Sequence, residues 1–322
     1  MRNIKFGFLG LGRMAHKMAE AIETVDNAEL IAAGSRFKDK ALAFGEKYDL
    51  PGEKCYEGYD NLVADSDVDV VYIATPVSTH KELTFMCADN DKAVLCEKSV
   101  AENSESIKKM IEKCRENDVF FMEAMWTRYL PVYRNIRNWL DEKRIGDIRI
   151  IEADICIWDK LESEDIRYKP ELGGGALLDL GIYPVSLFSF IYGEQPETVK
   201  SVVSMDDTGV DEQLAASFSY GDGRLANMYC SLFAKSPGKA VIVGTEGRIE
   251  INRFWYSERA QLFVDGQQVE LVNRPHKCNG YEYELEEVVK CLTEEKRESD
   301  IIPVRESIKI METMDKVRES WK

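Results

Sequence analysis

Three stretches of this chain carry residues whose types and spacing could do chemistry. The first is Gly10-Leu11-Gly12-Arg13-Met14-Ala15, which directly follows the apolar run Ile4-Lys5-Phe6-Gly7-Phe8-Leu9. Gly10 permits a tight turn, Gly12 keeps a side chain out of the way of a pyrophosphate, and Ala15 lets helix and strand pack closely. Backbone N–H groups at the helix start, around Leu11, Arg13 and Met14, then point at an anion. The second stretch is Ser35-Arg36, at the end of the next apolar run, with Lys38 and Lys40 close behind. An NAD site usually has a carboxylate there, accepting from the ribose hydroxyls. Ser35 does not repel a 2′-phosphate, and Arg36 can pair with one through two parallel hydrogen bonds, so this spacing predicts NADP(H) over NAD(H). The plain alternative for Arg36 is a solvated loop position. The third stretch is Gly173-Gly174-Gly175, followed by Asp179 and Tyr183. Groups four apart on a helix share a face. Three glycines in a row place backbone close to a ligand or make a mobile loop. Asp179 as a helix cap and Tyr183 as a core aromatic with a satisfied hydroxyl are the alternatives here.

The elements that must position these groups follow from periodicity. Strand-like runs at 4–9, 30–33, 68–74, 93–98 and 119–122 alternate with helix-like runs at 14–25, 38–48, 81–88 and 104–116. Alternation of this kind predicts an α/β fold, a doubly wound parallel Rossmann sheet with helices on both faces. That domain is expected over 1–124. After Met125 the pattern changes. Strand-like runs at 148–158, 199–205, 214–220, 225–232, 239–243, 248–251, 261–264 and 268–271 are separated by hairpin signals such as Gly221-Asp222-Gly223 and Asp265-Gly266. These predict a C-terminal α+β domain over 125–322 with a large, mainly antiparallel open sheet. Helices are expected at 281–297 and 304–321, and the last of them could pack on the first domain.

Bulk properties exclude several function classes. The 322 residues suffice for two domains, and 44% apolar with 31% charged residues is ordinary for a globular chain. A formal charge of −16 without a basic block disfavours a nucleic-acid partner. No run of 18 apolar residues points to a membrane partner. The eight cysteines form no Cys-x-x-Cys pair, which fits a reduced, cytoplasmic setting. His276 and Cys278 lack a third and fourth ligand at readable spacing, so no metal is expected.

Four segments together resemble the glucose-fructose oxidoreductase / inositol dehydrogenase / MocA (Gfo/Idh/MocA) family. They are the glycine turn at Gly10, Ala74-Thr75-Pro76-Val77-Ser78-Thr79-His80, Cys96-Glu97-Lys98, and Gly173-Gly174-Gly175-Ala176-Leu177-Leu178-Asp179-Leu180-Gly181-Ile182-Tyr183. Phe121-Met122-Glu123-Ala124-Met125-Trp126-Thr127-Arg128 looks most like the dimeric dihydrodiol dehydrogenase / NADP-dependent D-xylose dehydrogenase branch. The resemblance implies that Thr75, Pro76, Glu97 and Lys98 border the cofactor and that Lys98 is catalytic. The family's motif there is Glu-Lys-Pro, and this chain has Ser99 in place of the proline. For His80 two readings stand: lining a nicotinamide pocket, or capping a helix. Arg167 reaches cofactor phosphates or forms a surface salt bridge. Trp126 and Arg128 are nominated as the substrate border, and Asp179 and Tyr183 as substrate-orienting and proton-transfer groups. The family also implies a homodimer or homotetramer, formed through the open face of the second sheet.

The implied chemistry is feasible. Oxidising an alcohol needs a base for the hydroxyl proton, and free Tyr (pKa near 10) and Lys (near 10.4) are poor ones at neutral pH. A positive charge about 4 Å from a phenol, at an effective dielectric of about 20, is worth roughly 4 kcal/mol, which lowers the phenol pKa by about three. Charged Lys98 can thus bring Tyr183 into the working range, and either residue can be the one that moves the proton. The substrate class this predicts is a small polyhydroxylated molecule: a sugar, a polyol or a trans-diol. A non-catalytic dinucleotide-binding regulator of the same fold is the alternative, and such a protein tends to lose the lysine or its partner. A glycosidase using transient oxidation by tightly held NAD is disfavoured by Ser35-Arg36.

Overall fold

The computed structural model describes residues 2–158 and 165–321. The strands are β1 (Ile4–Leu9), β2 (Ala28–Ser35), β3 (Cys55–Glu57), β4 (Val70–Ile73), β5 (Ala93–Glu97), β6 (Phe121–Ala124), β7 (Ile148–Cys156), β8 (Thr198–Met205), β9 (Asp211–Ser219), β10 (Leu225–Ser231), β11 (Lys239–Gly244), β12 (Gly247–Asn252), β13 (Arg259–Val264) and β14 (Gln267–Asn273). The α-helices are α1 (Arg13–Ile22), α2 (Lys38–Lys47), α3 (Asp60–Val63), α4 (His80–Asp89), α5 (Ser104–Glu116), α6 (Pro131–Asp141), α7 (Ile182–Tyr192), α8 (Glu282–Thr293) and α9 (Val304–Glu319). Contacts divide the chain into two units, Met1–Tyr129 with His276–Ile308, and Leu130–Pro275 with Lys309–Lys322.

The first unit is a parallel sheet in the order β3-β2-β1-β4-β5-β6. Its central strands are apolar without interruption because helices cover both faces; Val70, Val71, Tyr72 and Ile73 are all fully buried. The helices bury one stripe each. In α5, Ile107, Met110, Ile111 and Cys114 repeat at helical spacing and are buried, and the Asn103 side chain accepts from the Ser106 N–H at 2.9 Å to start the helix. The strand order reverses between β1 and β4, so their carboxyl ends open the crevice where such sheets hold ligands.

The contact division departs from the expected split at 124/125, because residues 276–308 group with the parallel sheet. Specific contacts account for this. The Trp126 ring stacks on Tyr281 with centroids 4.3 Å apart and planes at 15°. Arg297 donates through two nitrogens to Asp118, at 2.7 and 2.6 Å. Arg128 donates to Glu306 at 2.7 Å. The unit boundary runs through α9.

The second unit is one sheet in the order β14-β13-β12-β11-β7-β10-β9-β8. Its neighbours are antiparallel except β7 and β10, which run parallel. This exception to the hairpin pattern has a topological cause. β7 and β8 are joined through α7 and run the same way, as crossover strands do, and the β9–β10 hairpin fills the gap between them. One face packs on helices: Phe188 of α7 meets Phe218 of β9 with rings 5.4 Å apart, and the Tyr133 hydroxyl of α6 donates to the Phe254 carbonyl at 2.7 Å. The other face carries Lys200 and Val202, Ala215 and Ser217, and Tyr229, all exposed. Pro170–Tyr192 has the length and mean hydropathy, 1.5, of a membrane span, yet 78% of its most apolar window is buried, as in a core helix.

The Arg128 side chain is only 4% exposed, so its ion pair with Glu306 is largely shielded from water. Glu306→Ala is expected to lower the unfolding free energy by roughly 3 kcal/mol, because a buried guanidinium loses its carboxylate. Urea denaturation measures this, and a loss below about 1 kcal/mol would class the pair with surface bridges.

Candidate active site

At the carboxyl end of β1 the chain turns through Gly10, which has φ +85° and donates its N–H to the Gly34 carbonyl at 3.2 Å. A Cβ on Gly10 would stand 2.6 Å from the Ala74 carbonyl oxygen, so only glycine fits. Gly12 sits at the N-cap of α1, and a Cβ there would meet nothing within 4 Å. No side chain caps α1 and no carboxylate stands in its first turn, so its leading N–H groups remain for an anion. Ala15 is fully buried against the sheet, Leu11 and Met14 are half-buried, and Arg13 is exposed.

At the end of β2, the Ser35 hydroxyl accepts from the Phe37 N–H at 3.3 Å. Phe37 is 57% exposed, with the Arg36 guanidinium 5.9 Å and the Lys40 ammonium 5.6 Å from its ring centroid. Lys38 is committed elsewhere, donating to the Cys55 carbonyl at 2.5 Å. The cations that can meet a phosphate at this corner are therefore Arg36 and Lys40, spaced by an aromatic ring.

After β4, the Thr79 hydroxyl bonds to the Thr75 hydroxyl at 2.7 Å and donates to the Pro76 carbonyl at 2.8 Å. His80 begins α4 but is 1% exposed, with Nε2 2.9 Å from the Thr75 carbonyl and Nδ1 3.3 Å from that of Val100. Burial lowers its pKa, and a neutral ring donates through one nitrogen only. The ring therefore donates to one of these two carbonyls while lying between the turn after β4 and the segment after β5, a place contained in neither sequence reading of His80.

At the end of β5, buried Glu97 accepts from the Tyr72 hydroxyl at 2.5 Å through one oxygen and from the Lys98 N–H at 3.1 Å through the other. Lys98 is half-buried, and the Lys98–Ser99 peptide is cis. Trp126 and Arg128 lie in a turn of 3-10 helix and are buried within this same unit by Tyr281 and Glu306. Cys278 is exposed, with its thiol 3.7 Å from the Glu20 carbonyl, and the His276 ring lies edge-on to Tyr283. Among the described residues no group of three His, Cys, Asp or Glu side chains is gathered as for a metal ion.

The second unit holds the other candidates. Each glycine of 173–175 has its own reason. Gly173 has φ +81°, a Cβ on Gly174 would lie 2.5 Å from the Arg167 carbonyl oxygen, and Gly175 has φ +117° with its α-carbon against the Asp211 carboxylate. The run is a close backbone approach. Asp211 then accepts from the Leu177 N–H at 2.6 Å, at the start of a π-helical turn, Leu177–Gly181, that leads into α7. That wider turn contains half-buried Asp179 and precedes Tyr183, which is 8% exposed. Wide turns of this kind occur often at functional sites. Arg167 donates to both oxygens of Asp165, each at 2.9 Å, the ion pair that was one of its two readings.

Comparison with known proteins agrees with these two halves. Residues 4–125 match the oxidoreductase family with an NAD-binding Rossmann fold, and residues 133–250 match the GFO/IDH/MocA C-terminal domain. The chain belongs to the GFO/IDH/MocA oxidoreductase family. It is 33% identical to a trans-1,2-dihydrobenzene-1,2-diol dehydrogenase of Xenopus laevis, over 98% of this chain and 97% of that one. It is 30% identical to the Homo sapiens protein of the same name, over 98% and 96%. Among solved structures, KijD10, a 3-ketoreductase from Actinomadura kijaniata in complex with NADP and TDP-benzene, superimposes with TM-score 0.91 at 25% identity, over 99% of this chain and 98% of that one. An aldose-aldose oxidoreductase from Caulobacter crescentus shares the fold, with TM-score 0.91 at 23% identity over 99% and 98%.

Two buried carboxylates escaped the sequence reading because nothing local marks them. Asp211, at the start of a strand, is pushed up to about 6 by burial, against the pull of the Leu177 N–H. Glu123, in β6, is pushed up to about 7 by burial, with the Ser307 hydroxyl, the Val100 backbone and Arg128 pulling the other way. The folded state therefore keeps a proton on Glu123 across a window, from about pH 4.5 to 7, in which the unfolded chain has lost it. Stability falls as pH rises through that window. Glu123→Gln is expected to flatten this slope and to gain up to roughly 3 kcal/mol near pH 8. Urea midpoints measured across the window check it, and an unchanged slope would mean that Glu123 is ionised throughout.

Proposed function

We propose that this protein is an NADP(H)-dependent dehydrogenase acting on a CH–OH group of a small polyhydroxylated molecule, a sugar, a polyol or a trans-diol, with Lys98 and Tyr183 as the acid/base pair. The observation that carries the cofactor half is the corner after β2, where Arg36 and Lys40 flank Phe37 and Ser35 stands in the place of a carboxylate. The glycine cradle supports it: the Gly10 turn leaves no room for a Cβ, and α1 begins without a side-chain cap. The substrate class draws on the relatives named for a dihydrobenzene-diol, and NADP on KijD10.

Gly10, Leu11, Gly12, Arg13 and Met14 would hold the pyrophosphate, and Arg36 with Lys40 the 2′-phosphate. Thr75, Pro76 and Glu97 would border the nicotinamide side. When bound, NADP+ supplies the acceptor for the substrate's hydride. The chain's residues do the proton chemistry. Lys98, anchored through its own N–H to Glu97, presents an ammonium that lowers the pKa of the Tyr183 phenol and donates to the substrate oxygen. Tyr183 takes the hydroxyl proton on its phenolic oxygen, and Asp179 orients the substrate. His80 acts behind this layer, lying against the Thr75 and Val100 backbones and holding one of the two carbonyls through its single N–H. Trp126 and Arg128 are candidates by resemblance and Arg167 by its place before the glycine run; their observed partners are Tyr281, Glu306 and Asp165. A cytoplasmic setting and a homodimer or homotetramer built on the exposed face of the second sheet belong to the same proposal.

Presence of both Lys98 and Tyr183 favours catalysis over a regulator that only senses the dinucleotide. Offered NADP+ or NAD+ with a panel of sugars, polyols and diols, the protein is expected to turn over at least one substrate with NADP+. Lys98→Met should cost at least about a hundredfold in kcat/KM. Normal turnover in Lys98→Met would remove the mechanism. Arg36→Ala should raise KM for NADP+ by about tenfold or more while changing that for NAD+ by less than about threefold. Equal effects on both cofactors would refute the phosphate assignment.

A further inference from the structure

Beneath the end of β5 lies a buried polar cluster that the acid/base reading does not use. Glu284, in α8, is 0% exposed, and neither of its carboxyl oxygens has a hydrogen-bond partner among the described residues. Its charge acts on Glu97 of β5, Tyr72 of β4 and Tyr129 of the 3-10 turn. Glu97 is engaged on both oxygens, by the Tyr72 hydroxyl and the Lys98 N–H, and feels the charges of Lys98 and of Lys17 from α1. The Lys17 ammonium in turn lies 5.6 Å over the Tyr281 ring at the start of α8. Tyr129 also faces Glu287, Ser299 and Arg128.

Two carboxyl groups that repel each other in a dry interior do not both ionise; one keeps a proton. The choice follows from the partners. Glu97 has two donors and two ammonium groups to support a negative charge. Glu284 has none of these, and an ionised carboxylate buried without donors costs several kcal/mol. Burial accordingly pushes Glu284 well above the usual carboxyl range; burial raises Glu97 as well, with Tyr72 and Lys98 pulling it back down.

We propose that Glu284 is a positioning residue that retains its proton, so that the Glu97–Glu284 pair sets one negative charge, and not two, against Lys98. This rests on the reading of Lys98 as the acid/base lysine. A second anion there would hold the lysine's proton more tightly and displace its titration to higher pH. Glu284 acts through Glu97 and has no contact with substrate in this account.

Infrared difference spectra of the full chain, without added cofactor, test it directly. Wild type minus Glu284→Gln is expected to show the stretch of a protonated carboxyl at about pH 7, displaced in heavy water. In Glu97→Gln the neighbouring anion is gone, so the same band should disappear at lower pH than in wild type. A difference spectrum without the band overturns the proposal, as does a band whose titration Glu97→Gln leaves unmoved. If Glu284→Gln does not fold, the titration is compared between Glu123→Gln and Glu123→Gln with Glu97→Gln, so that the carboxyl of Glu123, itself pushed up to about 7 by burial, adds no band. Lys98→Met turnover bears on the dehydrogenase reading and not on this band, so the two can fail separately.

Discussion

The arrangement in the first unit depends on one buried carboxylate. Glu97 ends β5 with one oxygen on the Tyr72 hydroxyl of the neighbouring strand and the other on the N–H of Lys98. A carboxyl acceptor with two donors in a low-dielectric core is a strong anchor, stronger than the same bonds in water. It fixes where the chain leaves the sheet, and so where Lys98 begins. The His80 ring extends the same logic outward, lying between the Thr75 and Val100 carbonyls at the two strand ends and donating to one of them. The reacting lysine of the proposal is therefore held by polar contacts made to its backbone neighbours, while its side chain stays half-buried.

The second unit uses the same device in a different place. The Asp211 carboxylate fills the space that the missing side chain of Gly175 leaves, and it accepts from the Leu177 N–H. That bond starts the wide turn that carries Asp179 toward Tyr183. In both units, then, a buried acid that takes no part in the proposed proton transfer determines where the acid/base residue is presented. Such carboxylates cost stability, since burial raises their pKa and the fold must supply donors in return. That cost is typical of functional centres.

Much of this was legible in the residues. Gly10 announced the tight turn after β1, where close backbone approach admits only glycine. Uninterrupted apolar runs announced a parallel sheet, and Gly221-Asp222-Gly223 announced the hairpin between β9 and β10. The misses have physical causes. β3 is three residues long and half-polar, too short for a period to show. The parallel β7–β10 pair is set by a crossover through α7, which local hairpin signals do not report. The grouping of 276–308 with the first unit depends on Trp126 stacking and on Arg128 and Arg297 finding distant carboxylates. Lys38 and Lys40 looked equivalent in sequence, and only the structure shows Lys38 committed to the Cys55 carbonyl. Asp211, Glu123 and Glu284 acquire their character from burial alone, which no spacing reveals.

The proposed chemistry stands or falls on direct hydride transfer between an alcohol carbon and the nicotinamide. A diol or sugar deuterated at the oxidised carbon, incubated with NADP+ and the intact protein, tests it in one measurement. Deuterium recovered at the C4 position of the nicotinamide in NADPH is the result predicted. Conversion of the substrate with no deuterium in the reduced cofactor would contradict it.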